Sequence, residues 1–169
     1  MPNTSRTRGI RRCGKSTLLQ DFKQHLLSDG ITQDTIVFLN FEERENAHFT
    51  SWETVYDYIV EMLAPAAKRY VFLDEVQMVP HFEKLVDALY VKKDIDLYIT
   101  GSNAYLLSSE LSTLLSGRYI AINLHPFSFA EYVAAFPEER DSGRLFRRYM
   151  NGSCFPEAVI LSKAAPQQE

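Results

Sequence analysis

Residues 9–16 read Gly-Ile-Arg-Arg-Cys-Gly-Lys-Ser, with two glycines separated by four residues and then a lysine and a serine. Glycines let the backbone curl until successive N–H groups point into one concave loop, and such a loop binds anions. A helical stripe of apolar residues follows immediately and stops at Gly30; it consists of Leu18, Leu19, Phe22, Leu26 and Leu27. Because the start of a helix adds a positive dipole end, the segment predicts a phosphate-binding loop that leads into a helix.

Each position of the loop has a predicted contribution to nucleotide binding. Lys15 would bridge the β- and γ-phosphates, and the Ser16 hydroxyl would be a ligand of Mg²⁺. The side chains of Arg11 and Arg12 would either touch the nucleotide or face solvent. The predicted nucleotide-binding residues here are Gly9, Ile10, Arg11, Arg12, Cys13, Gly14, Lys15, Ser16 and Thr17.

Strand patterns alternate with helix patterns along the rest of the chain. Buried strands are predicted at residues 35–41, 70–73, 97–100 and 119–124. Capping boxes at Thr50 with Glu53 and at Ser128 with Glu131 predict two helix starts, and further helices are expected at 82–89, 106–115 and 145–150. This order predicts an α/β fold with a mainly parallel sheet, helices on both faces and ligands at the carboxyl ends of the strands.

The segment before the loop does not match this pattern. Residues 3–8 contain no large apolar side chain, whereas a central parallel strand normally reads as an apolar run. Two interpretations follow: the segment is not the strand that should precede the loop, or the first strand is degenerate or truncated.

Two carboxylates, Asp74 and Glu75, follow the apolar run at 70–73. At the end of a buried strand Asp74 would lie beside the phosphate loop and hold Mg²⁺, directly or through water. Glu75 could then polarise the attacking water as a general base. The alternative is a solvated acidic turn, which is common after strands.

Three further polar residues are candidates for the same site. Ser102 and Asn103 follow the strand at 97–100 and could sense the γ-phosphate or orient the water; a capped turn is the alternative. Arg118 could stabilise charge on the transferred phosphoryl group, in its own chain or across an interface. Its alternative is a surface arginine at a helix end.

Composition narrows the class of protein. The 169 residues suit one domain at roughly 150 residues per domain. A net charge of −4 argues against a protein-wide nucleic-acid surface. No apolar stretch approaches the roughly 20 residues of a membrane span. Two cysteines indicate no disulfide framework, so a reducing, cytoplasmic location is expected. The four histidines are not spaced along the sequence as metal ligands usually are.

Six motifs in order carry a resemblance to a known family: residues 9–19, 71–77, 99–103, 115–118, 125–132 and 152–158. Together they resemble the prokaryotic AAA-like P-loop ATPases, over about residues 9–159. The resemblance implies a three-layer α/β/α P-loop fold of the additional-strand class, in which another strand separates the Asp74 strand from the loop strand. The sequence itself predicts a core over 1–136, followed over 137–169 by short C-terminal helices and a frayed tail.

The resemblance also implies functional roles. Lys15 and Ser16 would bind phosphate and Mg²⁺, Asp74 would bind Mg²⁺, and Glu75 would be the base. Ser102 and Asn103 would form a sensor, and Arg118 would face phosphate. Members typically continue into a C-terminal domain, nuclease-like or DNA-binding in some relatives.

The leading hypothesis is therefore an ATP-binding, Mg²⁺-dependent NTPase, with Glu75, Lys15, Arg118 and Asn103 as catalytic groups. One alternative is a nucleotide-binding switch or inactive ATPase-like module that contacts partners; another is a P-loop kinase. Nucleotide is the expected ligand, and a homo-oligomer or protein partner is left open. Membrane association is not expected, and direct nucleic-acid binding by this chain is not favoured.

Overall fold

The computed structural model describes residues 4–9, 13–101, 119–152, 154–156 and 159–160. The described strands are β1 (Thr4–Gly9), β2 (Ile36–Asn40), β3 (Arg69–Asp74), β4 (Ile95–Thr100) and β5 (Ile120–Leu124). The described helices are α1 (Lys15–Ser28), α2 (Trp52–Met62), α3 (Phe82–Tyr90), α4 (Phe129–Ala134) and α5 (Ser142–Asn151). Within the described residues, three short 3₁₀ helices lie at Gln33–Thr35, Arg44–Asn46 and Val76–Met78. The helix predicted over 106–115 lies outside the described residues.

The strands form one sheet in the order β2-β3-β4-β1-β5. Adjacent pairs from β2 to β1 are parallel, so the carboxyl ends of these strands meet at one edge. Strand β4 lies between β3, which ends at Asp74, and β1, which leads into the loop. The predicted additional-strand order is therefore confirmed.

The polar segment before the loop does form a strand of this sheet. Strand β1 pairs in parallel with β4, with Thr4 opposite Leu97 and Thr7 opposite Thr100. Thr7 is buried, at 3% exposure. Threonine is β-branched and suits a pleated strand, and ladder hydrogen bonds need no apolar side chain. The idea that this segment is not the strand preceding the loop is thus wrong.

Alternate side chains of the central strands contribute to two separate core layers. One layer, beneath α2 and α3, contains a residue pair from each of β2, β3 and β4: Val37 and Leu39, Val71 and Leu73, Leu97 and Ile99. The opposite layer contains the intervening residues Ile36, Phe38, Tyr70, Phe72 and Tyr98, with Leu19, Phe22 and Leu26 of α1. The predicted helices on both faces of the sheet are confirmed, and the period of two in β-strands is the cause.

The two predicted capping boxes had different outcomes. Helix α4 has the complete box: Ser128 Oγ accepts from the Glu131 N–H, and the Glu131 carboxylate accepts from the Ser128 N–H. Helix α2 is instead capped by Ser51, whose Oγ accepts from the N–H of Thr54 at 3.4 Å. The box predicted at Thr50 is wrong by one residue, because either hydroxyl precedes the apolar run and sequence alone does not choose between them.

The chain divides into two compact units, Met1–Gly9 with Lys15–Asn123 and Ile10–Gly14 with Leu124–Glu169. Within the second unit, Tyr132, Leu145 and Val159 form a small buried cluster. The division predicted at residue 136 stays a prediction. In the part of the chain that the structure describes, none of the helices has the length and apolar character needed to cross a bilayer.

Candidate functional site

Polar residues occupy the carboxyl ends of four neighbouring strands. Asn40 of β2 lies opposite Asp74 of β3, and Thr7 of β1 lies opposite Thr100 of β4. Leu73 of β3 lies opposite Ile99 of β4, so Asp74 and Thr100, the next residues of these strands, lie at the same level of the sheet. The apolar core therefore ends along one line, and the polar residues beyond it form the edge where parallel sheets bind ligands.

Asp74 is completely buried, with an exposed fraction of 0%. The Thr100 hydroxyl donates to its Oδ1 atom. Its Oδ2 atom is also buried and has no hydrogen-bond partner among the described residues. Because a buried carboxylate oxygen without a partner is costly, this atom is suited to a positively charged ligand.

Glu75 turns the chain away from the strand in a left-handed conformation, with φ 53° and ψ 47°. Few residues other than glycine adopt this backbone conformation, and strain of this kind concentrates at functional positions. Its N–H donates to Thr100 Oγ1 at 3.1 Å. One threonine hydroxyl thus fixes both the Asp74 carboxylate and the backbone of Glu75.

The Glu75 carboxylate is held at both oxygens. Gln77 Nε2 donates to Oε2 at 2.5 Å, and Lys15 Nζ lies 3.6 Å from Oε1. The Lys15 side chain is 4% exposed and that of Glu75 is 12% exposed. At this burial a charge pair is screened much less than on the surface.

Packing on the α1 face of the sheet explains why Lys15 lies near the Glu75 carboxylate. Phe72 lies two residues before Asp74, so both positions belong to the same face of β3. The Phe22 ring of α1 meets the Phe72 ring edge-on at 6.1 Å, and Phe72 stacks on Tyr98 at 4.8 Å. This aromatic layer places α1 over the end of β3, and Lys15 is the first residue of α1.

In the described part of the predicted loop, a glycine with a left-handed backbone is followed by a helix. Gly14 has φ +90°, which a side-chain-bearing residue rarely adopts. Helix α1 begins at the next residue, so the positive end of its dipole directly follows Gly14. Cys13 is buried, Ser16 is half-buried and Thr17 is exposed.

Among the described residues of the site, the formal charges sum to an excess of negative charge. Asp74 and Glu75 contribute two carboxylates, and among the described residues Lys15 is the cation paired with Glu75. The described ranges contain no group of three or more His, Cys, Asp or Glu that could hold a metal ion. Mg²⁺ commonly uses one or two protein oxygens together with water and phosphate, so Asp74 with its unpartnered oxygen fits such an ion.

Several predicted site residues lie outside the described residues, namely Ile10, Arg11, Arg12, Ser102, Asn103 and Arg118. The structure also brings Thr100 and Gln77 into the site; both lie in the predicted motifs, but the sequence analysis did not assign them as site residues. The sequence signal for Thr100 was a hydroxyl at the last position of a buried strand. For Gln77 it was a polar residue two positions after the carboxylate pair.

Comparison with known proteins agrees with this geometry. A family profile described as an AAA domain matches residues 5–133, and the chain belongs to this family. The fold is a three-layer P-loop α/β/α domain, and domains of this family are of the nucleotide-binding ATPase type.

Two curated relatives are uncharacterised proteins. The chain is 39% identical over 159 residues to one from Haemophilus influenzae, a match covering 92% of this chain and 40% of the relative. It is 29% identical over 126 residues to one from Methanocaldococcus jannaschii, covering 74% of this chain and 27% of that protein. The chain therefore spans less than half the length of either relative.

Two solved structures share the fold. The ORC1 protein of Aeropyrum pernix, solved in complex with DNA, has a TM-score of 0.58 at 13% identity; 98% of this chain matches 56% of that one. PCH-2 of C. elegans has a TM-score of 0.54 at 18% identity, with 84% of this chain matching 40% of that one. At these identities the likeness supports the fold alone.

Proposed function

We propose that this chain binds ATP with Mg²⁺ and hydrolyses it to ADP and phosphate. One observation carries the proposal: the buried Lys15 at the start of α1 faces the carboxylate of Glu75, next to the buried Asp74. A cation at a helix N-terminus beside two carboxylates at a strand end provides groups for phosphate, metal and water in one place. Family membership agrees with this chemistry.

The phosphates are proposed to bind at the loop and the first turn of α1. Backbone N–H groups of residues 9–14 and the helix dipole would hold the phosphate oxygens, and Lys15 would bind the β- and γ-phosphates. Ser16 and Asp74 would hold Mg²⁺, with Asp74 Oδ2 as the protein oxygen that still needs a partner. The bound cation supplies neutralisation of charge on the phosphate oxygens.

Glu75 is proposed to act as the general base. Its carboxylate would take a proton from a water molecule while the water oxygen attacks the γ-phosphorus. The bond between that phosphorus and the bridging oxygen breaks, and the electron pair leaves with ADP. Lys15 must exchange its contact with Glu75 for contact with phosphate, and that exchange would free one oxygen of the base.

Other roles follow from the resemblance and stay proposals. Arg118 would stabilise the transferred phosphoryl group, while Ser102 and Asn103 would sense the γ-phosphate. Assembly with further copies or with a protein partner is proposed for the same reason. A cytoplasmic location is proposed because Cys13 and Cys154 are both free thiols.

Replacing Glu75 by Gln tests the proposal. Glu75→Gln keeps the size of the side chain and removes the base, so turnover should fall by about 10²-fold or more while affinity for Mg-ATP is retained. Glu83→Gln, which removes a carboxylate from α3, is the matched control and should change neither quantity. Equal turnover in wild type and Glu75→Gln would contradict the proposed role.

A nucleotide-dependent switch is the second candidate. Glu75 is held by both Lys15 and Gln77, and a base held in this way is not free to act until one contact is released. A switch would bind nucleotide tightly with negligible release of phosphate in the wild-type chain. The turnover measurement above therefore separates the two functions.

A further inference from the structure

Gln77 lies in a hydrogen-bonded turn immediately after the proposed base. The 3₁₀ helix Val76–Met78 follows Glu75 directly, and the N–H of Met78 donates to the Glu75 carbonyl at 3.0 Å. Val76 and Val79 on either side are buried in the core, at 0% and 1% exposure. The backbone that carries Gln77 is thus anchored at both ends.

In the carboxamide of Gln77, the nitrogen makes a hydrogen bond and the oxygen has no partner among the described residues. Its Nε2 donates to Glu75 Oε2 at 2.5 Å. Its Oε1 is buried and has no hydrogen-bond partner among the described residues. Burying a polar atom without a partner costs free energy, so packing alone does not account for glutamine at this position; a methionine would fill the same space without that cost.

We infer that Gln77 is a positioning residue for Glu75, and this inference rests on the proposed hydrolysis. When Lys15 binds phosphate, its contact with Glu75 Oε1 weakens, because a phosphate carries more charge than a carboxylate. Gln77 is then the described side chain that still holds the base. A neutral amide donor fixes the orientation of the carboxylate without cancelling its charge, so the other oxygen stays able to accept a proton.

The test compares Gln77→Met with Met78→Ala, which alters the exposed neighbour in the same turn. Gln77→Met should lower kcat about tenfold and leave the affinity for Mg-ATP within about twofold, because the hydrogen bond orients the base and does not bind nucleotide. Met78→Ala should behave as wild type. Thermal unfolding confirms that each variant is folded; if Gln77→Met is not, Gln77→Asn, which keeps the amide but shortens its reach, replaces it.

A double variant separates positioning from general structural damage. In the Glu75→Gln background, adding Gln77→Met should cause no further fall in kcat, because the group being positioned is already absent. A further tenfold fall in that background would overturn the inference. Wild-type kcat in Gln77→Met would also overturn it, while leaving the proposed function intact. Full turnover in Glu75→Gln would instead contradict the proposed function itself.

The hydrogen bond can be observed without any turnover. In ¹⁵N-labelled chain, a side-chain amide proton of Gln77 should resonate downfield of exposed glutamine amides and move upfield in Glu75→Ala. A Gln77 amide signal at the exposed position, unchanged by Glu75→Ala, would overturn the inference even in a chain that does not hydrolyse ATP.

Discussion

The ammonium of Lys15 lies 3.6 Å from the Oε1 atom of Glu75, and both side chains are largely buried. The two residues are 60 positions apart, on α1 and at the end of β3. The pair therefore joins the start of α1 to the acidic end of β3. Burial of opposite charges is costly unless they are paired, so each partner depends on the other for stability.

A double-mutant cycle should reveal this dependence. Lys15→Met leaves Glu75 with one hydrogen-bonded oxygen, and we expect a loss of about 1–3 kcal/mol in the free energy of unfolding. Lys15→Met combined with Glu75→Gln should lose less than the sum of the single variants, by about 1 kcal/mol. Urea unfolding of the wild type, the two single variants and the double variant measures these free energies. Strict additivity of the losses would show that the pair is not coupled.

Thr100 should be essential to the stability of the site. Thr100→Val has nearly the same shape but leaves Asp74 Oδ1 and the Glu75 N–H without their shared partner, both of them buried. We expect it to lower the free energy of unfolding by about 2–4 kcal/mol. Thr100→Ser keeps the hydroxyl and is the matched control, with a smaller loss from the missing methyl group. A valine variant as stable as the serine variant would contradict this role.

Replacing Asp74 should impair the binding of Mg-ATP without lowering the stability of the chain in the absence of Mg²⁺. Asp74→Asn removes a buried negative charge that has one unpartnered oxygen, so the chain without Mg²⁺ should be as stable as wild type or more stable. The same change should abolish the gain in unfolding temperature that Mg-ATP produces in wild type. Thermal unfolding with and without Mg-ATP checks both expectations; an equal gain in Asp74→Asn would exclude Asp74 from the metal site.

The capping box of α4 should make stability depend on pH. Hydrogen bonds from the Ser128 side chain and N–H hold the pKa of Glu131 below its usual range. A lowered pKa means that ionised Glu131 stabilises the folded chain above its ordinary pKa, and this contribution is lost as pH falls through the lowered value. Ser128→Ala should therefore lower the unfolding temperature more at pH 7 than at acid pH. Thermal scans from pH 7 to pH 3.5 test this. A difference in unfolding temperature between wild type and Ser128→Ala that grows as the pH falls would contradict it.

Sequence predicted the sheet and its helices well where side chains follow a clear period. Phe82, Leu85, Val86 and Leu89 repeat at helical spacing, and all four are buried in α3. Strand β1 could not be predicted in this way, because its place in the sheet depends on pairing with β4 and not on apolar side chains of its own.

The candidate site was predicted in its parts but not in its connections. Lys15, Asp74 and Glu75 were identified from two motifs, yet neither motif encodes a contact between residues 60 positions apart. Thr100 and Gln77 were not assigned as site residues because hydroxyl and amide side chains at strand ends and turns usually serve local hydrogen bonds. Their contacts with the two carboxylates depend on tertiary geometry.

Equilibrium titration of fluorescent ATP with Mg²⁺ into the wild-type chain, Lys15→Ala and Lys93→Ala tests the central claim most directly. Lys93 is an exposed lysine far along the sequence from the loop and serves as the charge-matched control. If Lys15 binds phosphate, Lys15→Ala should weaken binding by about tenfold or more, and Lys93→Ala should match wild type. Equal affinity in all three chains would contradict the assignment of the nucleotide site.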